Sequence, residues 1–455
     1  MNTTKFDSPP DLRAGPQRSL LIVGGGIAGL ELATALGRWR RRLGARAANV
    51  PDITLVDRDF AHVWKPMLHT IAAGTRDIHQ QQTSYIAQAR AAGFRYEPGE
   101  LCGVHRGSRI AHLAAMHAED GRLLIPARRL HYDTLIVAVG SRANDFGTPG
   151  VAAHCHTIDS RQQADAFGQE VRLRLLQCMA HGGVPGVPGT LSIAIVGGGA
   201  TGVELAAELT GLAASAEAYG AHGLATRVRI TLIESAPRLL AAFPQDISSG
   251  VQARLEALGV RVRTATRVAA ATTNGFLLAD GSEVGASLRV WAAGVKAPDF
   301  LAGLDGLETN RSHQLLVRPS LQTTLDDHIY AVGDCCSLVY ASADRPLPPT
   351  AQVAHQQAQH LIRHLPAALL SGATVPDFRH TDMGALVSLG DYDAFGALGK
   401  TGLFKGVTFK GRLAQYSHEW LYRSHQARLH GFWRGSLLWF VDMLNSRLRA
   451  TIRLD

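Results

Sequence analysis

Two sets of glycines have the spacing that binding a pyrophosphate requires. In the first set, Gly24, Gly26 and Gly29 form G-x-G-x-x-G between the apolar run 20–23 and a run of helix formers. Such glycines allow a tight turn, close approach of the backbone to a pyrophosphate, and close helix–strand packing. The N-terminus of the following helix offers N–H groups and the positive end of its dipole to the phosphates. This position between a predicted strand and a predicted helix indicates dinucleotide binding.

The second set repeats the first at a constant offset. Gly197, Gly199 and Gly202 have the same spacing, and ten residues of segment 22–36 reappear identically in 195–209. A chain that contains the same phosphate cradle twice is predicted to hold two dinucleotides. The alternative is a duplicated α/β fold in which one site is inactive.

An acidic residue ends the second predicted strand of each copy. Asp57 and Glu234 both follow a short run of β-branched and apolar residues. A carboxylate here accepts hydrogen bonds from a ribose and repels a 2′-phosphate, so the second copy is predicted to prefer NAD(H) over NADP(H). Arg238 lies close enough in sequence to keep NADP(H) as the alternative. The basic insert 38–42 separates Asp57 from its glycines by more than the usual ~20 residues.

Three later turns also follow predicted strands, at Gly140, Gly294 and Gly333-Asp334. At such turns the chain passes close to a nucleotide, and Asp334 is suited to accept hydrogen bonds from a sugar-alcohol chain. Because the last of these strands comes so late, the first domain is predicted to be discontinuous, with the second domain inserted into it. The predicted segments are 19–158 and 301–375 for the first domain, 159–300 for the second, and 376–455 for a C-terminal region.

Trp64 and Lys65 lie in segment 62–77, which does not look like a routine connection of an α/β fold. A lysine here can face the electron-rich pyrimidine end of a flavin, and a tryptophan can pack on the ring system. The alternative is a loop that holds a buried tryptophan.

A helix is predicted to begin after Thr350, its expected N-cap. Gln352 and Gln356 are i, i+4 neighbours on this helix. The small residues beside them are Ala351, Ala354 and Ala358. Small residues beside amides form a slot for a flat ring with carbonyl oxygens. The alternative is a polar helix face in water.

The composition, 46% hydrophobic and 18% charged, is that of a globular protein. The five cysteines show no C-x-x-C spacing, so no metal ribbon is predicted, and their odd number fits a reducing compartment. The first twenty residues contain no apolar core, and no apolar run reaches the length of a bilayer. Neither a signal peptide nor a membrane-spanning helix is predicted.

Positive charge concentrates at the C-terminus. The net charge is +8, and from Lys410 onward basic residues exceed acidic ones by five. One predicted helical face in segment 432–448 contains Trp433, Leu437, Phe440, Val441, Leu444 and Leu448. A basic, aromatic, amphipathic segment is typical of one that lies on an anionic membrane surface, and no nucleic-acid partner is predicted. Packing on the protein's own core and a homodimer contact are the alternatives.

Together these motifs resemble the type II NADH dehydrogenases, single-subunit NADH:quinone oxidoreductases that do not pump protons. The resemblance runs from about Leu20 to the C-terminus and is closest to the proteobacterial members. Stretches that look like signatures of the family include VDRDFAHVWKPMLHTIAAG, IVGGGATGVELAAEL, VWAAGVKAPDFL and AQVAHQQA. It implies an α/β fold of two Rossmann-like, glutathione-reductase-like domains with a C-terminal amphipathic segment. It also implies non-covalent FAD in the first domain, NADH in the second, and a peripheral position on the cytoplasmic face of the inner membrane.

The resemblance further implies a role for each candidate residue. FAD is expected at Gly24, Gly26, Gly29, Asp57, Lys65, Gly140, Gly333 and Asp334. NADH is expected at Gly197, Gly199, Thr201, Gly202, Glu234 and Gly294, with Glu204 where the nicotinamide meets the flavin. The quinone is expected at Ala351, Gln352, His355 and Gln356, and the catalytic residues are Glu204, Gln352 and Gln356. Hydride passes from NADH to flavin N5, and two electrons then pass to a membrane quinone of the respiratory chain.

Two rival functions remain open. A sulfide:quinone reductase needs reactive cysteines near the flavin, and the adjacent pair Cys335-Cys336 suits such a relay poorly. A flavin-binding redox sensor or scaffold needs neither the helix after Thr350 nor the basic tail. Turnover with NADH and a soluble quinone distinguishes these functions.

Overall fold

The computed structural model describes residues 18–44, 50–75, 82–180, 189–218, 223–390, 394–398, 408–410 and 423–448. These residues form two compact units, both discontinuous in sequence. The first unit draws on Met1–His62, Thr83–Ser141 and Lys296–His380, and the second on Val63–Gln82, Arg142–Val295 and Thr381–Asp455. The predicted α/β class is confirmed. The predicted boundaries at 158, 300 and 375 stay a prediction.

The first unit is built on a six-stranded sheet. Its strands lie in the order Gln322–Thr323, Asp326–Ala331, Thr134–Val137, Ser19–Val23, Asp52–Asp57 and Arg95–Pro98, and the last five are mutually parallel. The apolar run predicted as the first strand lies at the centre of this sheet, where Leu20 and Ile22 are fully buried. A parallel strand covered on both faces needs such a continuous apolar run. The first cradle helix, Ile27–Leu43, buries Leu30, Leu32 and Leu36.

The second unit repeats this plan with four parallel strands. They lie in the order Arg261–Arg263, Val228–Ile233, Leu191–Val196 and Leu288–Trp291. The second cradle helix, Ala200–Ala218, follows the strand Leu191–Val196 just as the first cradle helix follows Ser19–Val23. Both cradles therefore lie at the carboxyl end of a central strand, where open parallel sheets bind ligands.

The remaining elements are short or flank these sheets. Further helices are Leu68–Ala72, Tyr85–Ala92, Val151–His154, Arg161–Ala180, Leu224–Arg227 and Gln245–Ala257, with 3-10 turns at Lys65–Met67, Asp299–Leu301, Leu304–Gly306 and Gly333–Cys335. Antiparallel sheets join Leu101–His105, Ile110–Leu113 and Arg128–His131; Val268–Thr272, Gly275–Leu278 and Glu283–Gly285; and Gly384–Ser388, Ala394–Leu398 and Thr408–Lys410. Short strands also occur at Ala61–Val63, Gln82–Ser84, Met116–His117, Leu123–Ile125, Arg142–Ala143, Val295–Lys296, Leu315–Leu316 and Cys336–Ser337.

Two further helices matter for function. The glutamine helix, Ala351–Ser371, begins at Thr350, whose hydroxyl accepts a hydrogen bond from Val353 N, so the predicted N-cap is confirmed. On the C-terminal helix, Phe432–Leu448, five of the six residues of the predicted apolar face are exposed, with Trp433 83% and Leu437 63% accessible, and the side chain of Leu448 lies outside the described part. Packing of these side chains on the protein's own core is therefore not what the structure shows. No helix in the described part of the chain is long and apolar enough to cross a membrane.

Candidate functional site

The two cradles share one backbone geometry. Gly24 and Gly197 begin them with φ of +100° and +116°, which L side chains rarely adopt. Each donates its N–H to the neighbouring strand at 2.8 Å, Gly24 to Val56 O and Gly197 to Ile233 O. The repeat found in the sequence is thus a repeat in three dimensions.

The other glycines show where the chain is tight and where space is open. A Cβ on Gly29 would lie 1.8 Å from Gly24 O, and one on Gly202 would lie 2.0 Å from Gly197 O. A Cβ on Gly26 or Gly199 would meet no protein atom within 4 Å. The first cradle helix also has no side-chain N-cap and no acid in its first turn. Open space beside uncapped helix N–H groups fits a pyrophosphate, so these residues are suited to FAD and NADH.

The acidic residue of each unit is tied to its own cradle. Asp57 Oδ2 accepts a hydrogen bond from Gly25 N at 2.5 Å, and Oδ1 accepts one from Asp59 N at 2.8 Å. Glu234 repeats the pattern, with bonds from Gly198 N at 2.6 Å and Ala236 N at 2.7 Å. Burial raises the pKa of Asp57 to about 6, although both backbone hydrogen bonds oppose this shift. Each carboxylate therefore lies beside a cradle, where a ribose hydroxyl would need an acceptor.

The three predicted turn glycines share a left-handed backbone, and two of these turns meet. Gly140, Gly294 and Gly333 have φ of +69°, +87° and +76°. Ser141, directly after Gly140, donates its hydroxyl to Asp334 Oδ2 at 2.7 Å. The turn after the strand Thr134–Val137 and the Gly333 turn, far apart in sequence, therefore meet in the first unit.

Lys65 and Trp64 belong to the second unit. Lys65 Nζ lies 3.9 Å from a carboxylate oxygen of Asp159. Trp64 is buried, and its ring centroid lies 4.4 Å from that of His425. The buried tryptophan of the alternative interpretation is thus present, and contact of Lys65 with a flavin stays a prediction. Thr201, in the first turn of the second cradle helix, is exposed.

Glu204 is the most perturbed acid of the second unit. It is buried, its Oε1 accepts a hydrogen bond from Ser388 N at 3.0 Å, and its Oε2 lies 3.3 Å from His69 Nδ1. Burial raises its pKa to about 8, and the charge of Glu208 adds to the shift. A carboxyl group with this pKa can hold or release a proton at neutral pH. The pairing with His69 was not predicted, although His69 lies in the unusual segment 62–77.

The glutamine helix presents its predicted residues in two groups. Gln352, His355 and Gln356 are half-buried, whereas Ala354 and Ala358 are buried in the core. Gln356 Oε1 lies 3.2 Å from His380 Nδ1, which donates to it, and His380 N donates to the hydroxyl of Tyr340. The half-buried residues are thus the ones positioned to meet a ligand.

Three contacts of this helix were missed by sequence reasoning. Buried Gln357 accepts a hydrogen bond from Gly333 N at 2.7 Å, which ties the glutamine helix to the Gly333 turn. His380 contacts Gln356, and Glu31 on the first cradle helix contacts His355. Of these contacts, the sequence offered a signal for Glu31 alone, because it holds the same position in the repeat as Glu204.

Cys335 and Cys336 are buried free thiols. Burial raises the pKa of Cys335 to about 12 and that of Cys336 further still. Thiols react as thiolates, so these two are poorly suited to a sulfur relay.

Comparisons with known proteins agree with this geometry. The model of the pyridine nucleotide-disulphide oxidoreductase family matches residues 12–358. A type II NADH:quinone oxidoreductase of Haemophilus influenzae is 38% identical over 96% of this chain and 100% of its own. One from Staphylococcus aureus is 27% identical over 84% of this chain and 90% of its own.

A solved structure supports the fold. NDH2 from Plasmodium falciparum in complex with NADH aligns with a TM-score of 0.78 and 19% identity over 96% of this chain and 100% of its own. The relatives in sequence and the matching family model together decide the assignment. The chain belongs to the type II NADH:quinone oxidoreductases, within the pyridine nucleotide-disulphide oxidoreductase family.

Proposed function

We propose that this protein oxidises NADH and reduces a membrane quinone, with FAD as its non-covalent cofactor. The observation that supports this most strongly is the pair of complete cradles, each with open space at its middle glycine, Gly26 and Gly199. One cradle serves a resident cofactor and the other a nucleotide that exchanges. When bound, FAD accepts the hydride of NADH and passes two electrons to the quinone.

The first unit supplies the residues that would hold FAD. The first cradle offers helix N–H groups to the pyrophosphate, and Asp57 offers a carboxylate to the ribose. Asp334, whose carboxylate is oriented by the Ser141 hydroxyl, is suited to the sugar-alcohol chain. The glutamine helix begins beside the Gly333 turn, and its positive end would stabilise negative charge on a reduced flavin. Gly140 completes this set in the first unit. Contact of Lys65 with the flavin stays a prediction from the sequence.

The second unit supplies the residues that would bind NADH. The second cradle takes the pyrophosphate, and the Glu234 carboxylate accepts hydrogen bonds from the ribose and repels a 2′-phosphate. Exposed Thr201 and the Gly294 turn are the further contacts we propose. Glu204 is the candidate for moving a proton during NADH oxidation, because its pKa lies near 8.

The quinone would bind along the glutamine helix, at Ala351, Gln352, His355 and Gln356. Amide N–H groups suit the carbonyl oxygens of a quinone. Gln356 is held on one side because its Oε1 accepts from His380 Nδ1. The half-buried state of these residues leaves them accessible to a ligand.

The C-terminal helix would hold the enzyme on the membrane that contains the quinone. Trp433, Leu437, Phe440 and Leu444 are exposed on one face, and Arg434 is exposed beside them. Exposed apolar and aromatic residues with nearby positive charge favour the interface of an anionic bilayer. We propose peripheral attachment at the cytoplasmic face. A homodimer contact through the same face is the alternative.

Anaerobic stopped-flow absorbance tests the function. NADH should bleach the flavin of the purified protein, and a short-chain ubiquinone analogue should restore its colour rapidly. Bleaching without recovery would contradict the quinone assignment and favour a redox sensor. Absence of bleaching would contradict the NADH site.

A further inference from the structure

A buried carboxylate links the first cradle helix to the glutamine helix. Glu31 is 3% exposed, and its Oε2 lies 2.7 Å from His355 Nδ1. The same oxygen accepts a hydrogen bond from Gln359 Nε2 at 3.0 Å. Both partners lie four residues apart on one face of the glutamine helix. A carboxylate is buried at this depth only where such partners compensate its lost hydration.

This contact determines the chemistry that His355 can perform. Because Nδ1 carries the hydrogen donated to Glu31, Nε2 is the atom that takes up or releases a proton. The carboxylate also stabilises the positive charge that the ring gains when Nε2 is protonated. The His355 side chain is 19% exposed, so water can reach the ring.

The proposed reaction requires such a group. NADH gives one hydride, and the quinone takes two electrons and two protons to become the quinol. The balance is NADH + H⁺ + quinone → NAD⁺ + quinol, so each turnover takes one proton from solution. His355 lies between Gln352 and Gln356, the residues proposed to bind the quinone.

We propose that His355 delivers this proton from Nε2 and that Glu31 is the positioning residue that holds the ring in the Nδ1–H tautomer. Glu31 stays ionised throughout, while His355 takes a proton from water and passes it to a quinone oxygen. The proposal rests on the proposed quinone site.

Other charged groups near the glutamine helix do not replace Glu31. Those on the elements and segments packed against this helix and on the helix itself include Arg18, Arg38, Arg40, Arg41, Arg42, Asp334, His360, Arg363, His364, Asp377 and His380. Within the described ranges, Glu31 is the charged residue in contact with His355. The carboxylate that faces the His355 ring is therefore that of Glu31.

The test separates the two half-reactions of the holoenzyme in stopped flow. Glu31→Gln keeps the shape and an acceptor oxygen but removes the charge. Reduction of the flavin by NADH should keep its rate, whereas reoxidation by a short-chain ubiquinone analogue should slow at least about tenfold. The pH profile of reoxidation should also differ from that of the wild type, because the ring no longer faces a carboxylate.

His355→Gln and Gln359→Leu complete the set. His355→Gln should slow reoxidation about a hundredfold. The double variant with Glu31→Gln should reoxidise no more slowly than His355→Gln alone. Gln359→Leu removes a second hydrogen bond to the same carboxylate oxygen and should reoxidise like the wild type. If Glu31→Gln loses its flavin, the rate of reoxidation in His355→Gln alone tests whether His355 delivers the proton.

Three results would overturn the proposal: an unchanged pH profile in Glu31→Gln, equal slowing of both half-reactions, or a Gln359→Leu variant as slow as Glu31→Gln. The last two would show that Glu31 only holds the two helices together. Failure of the wild-type flavin to reoxidise with quinone would instead contradict the proposed function itself.

Discussion

The carboxylate of Glu204 lies 3.3 Å from Nδ1 of His69, with both side chains buried. Glu31 holds the same position in the other copy of the repeat, and its carboxylate lies 2.7 Å from Nδ1 of His355. Each cradle helix thus carries a buried acid paired with a histidine from elsewhere in its own unit. The two acids hold equivalent positions in the repeat, whereas the two histidines come from unrelated segments.

Glu204 should make the protein less stable as pH rises. Its carboxyl has a pKa of about 8 in the folded protein, against 4.5 as its ordinary value. Between these values the folded protein holds a proton that the unfolded chain has lost, so the free energy of unfolding falls with rising pH. One pKa unit corresponds to about 1.4 kcal/mol, so the effect is at most about 5 kcal/mol.

Glu204→Gln should therefore show a smaller loss of Tm between about pH 5 and pH 8.5 than the wild type. Thermal unfolding of the holoenzyme at both pH values measures this. Glu170→Gln, which breaks a partly exposed ion pair with Arg174, is the control and should follow the wild type. Equal pH dependence in Glu204→Gln and the wild type would show that Glu204 is ionised in the folded state.

The two open glycine positions should separate the cofactor from the substrate. Gly26→Ala places a methyl group in open space, so the fold should persist while the pyrophosphate of FAD is obstructed. Gly199→Ala should keep FAD bound and raise the KM for NADH at least about tenfold, since a blocked phosphate loses charge-assisted hydrogen bonds. Flavin absorbance per protein and steady-state kinetics measure the two effects. Normal flavin content in Gly26→Ala would mean that the first cradle does not hold FAD.

Glu234 should determine the choice of nucleotide. Glu234→Gln retains an oxygen for Gly198 N but removes the charge that repels a 2′-phosphate. The ratio of kcat/KM for NADPH over NADH should rise at least about tenfold. Asp57→Asn, the equivalent change in the first unit, should leave this ratio unchanged and weaken FAD retention instead. An unchanged ratio in Glu234→Gln would assign the preference to another residue.

Gln352 should act in the quinone half-reaction. Gln352→Ala removes an amide that would donate to the quinone carbonyl. The KM for a soluble quinone should therefore rise about tenfold, which corresponds to the free energy of about one hydrogen bond between uncharged groups. The rate of flavin reduction by NADH should not change. Gln359→Ala, on the same helix, is the control. Identical quinone kinetics in Gln352→Ala and the wild type would move the quinone site elsewhere.

The C-terminal helix should bind anionic vesicles. Replacing Trp433 and Leu437 by serine removes exposed apolar area, so co-sedimentation with vesicles containing phosphatidylglycerol should fall strongly. Activity with a soluble quinone should persist. Leu173→Ser, an exposed apolar residue on another helix, should leave binding unchanged. Unaltered vesicle binding with a loss of dimers in solution would identify this face as a subunit contact.

Much of the site was readable in the sequence because its parts are local. The glycine spacing of each cradle, the acids Asp57 and Glu234 at strand ends, and the N-cap Thr350 all depend on neighbours a few residues away. Backbone geometry restricts which residues fit such positions, so their types and order suffice to predict them. The internal repeat added the prediction of two nucleotide sites.

Only the tertiary structure decided which distant side chains meet. Glu31 and His355 are separated by most of the chain, and Glu204 meets His69 and the backbone of Ser388, which are almost as far apart in sequence. Such pairs depend on which helix faces are packed together, and this is a property of the whole core rather than of any local spacing. The same reason applies to the C-terminal helix. Its apolar face was evident from the sequence, but the sequence leaves open whether the core covers that face, and the fold leaves it exposed.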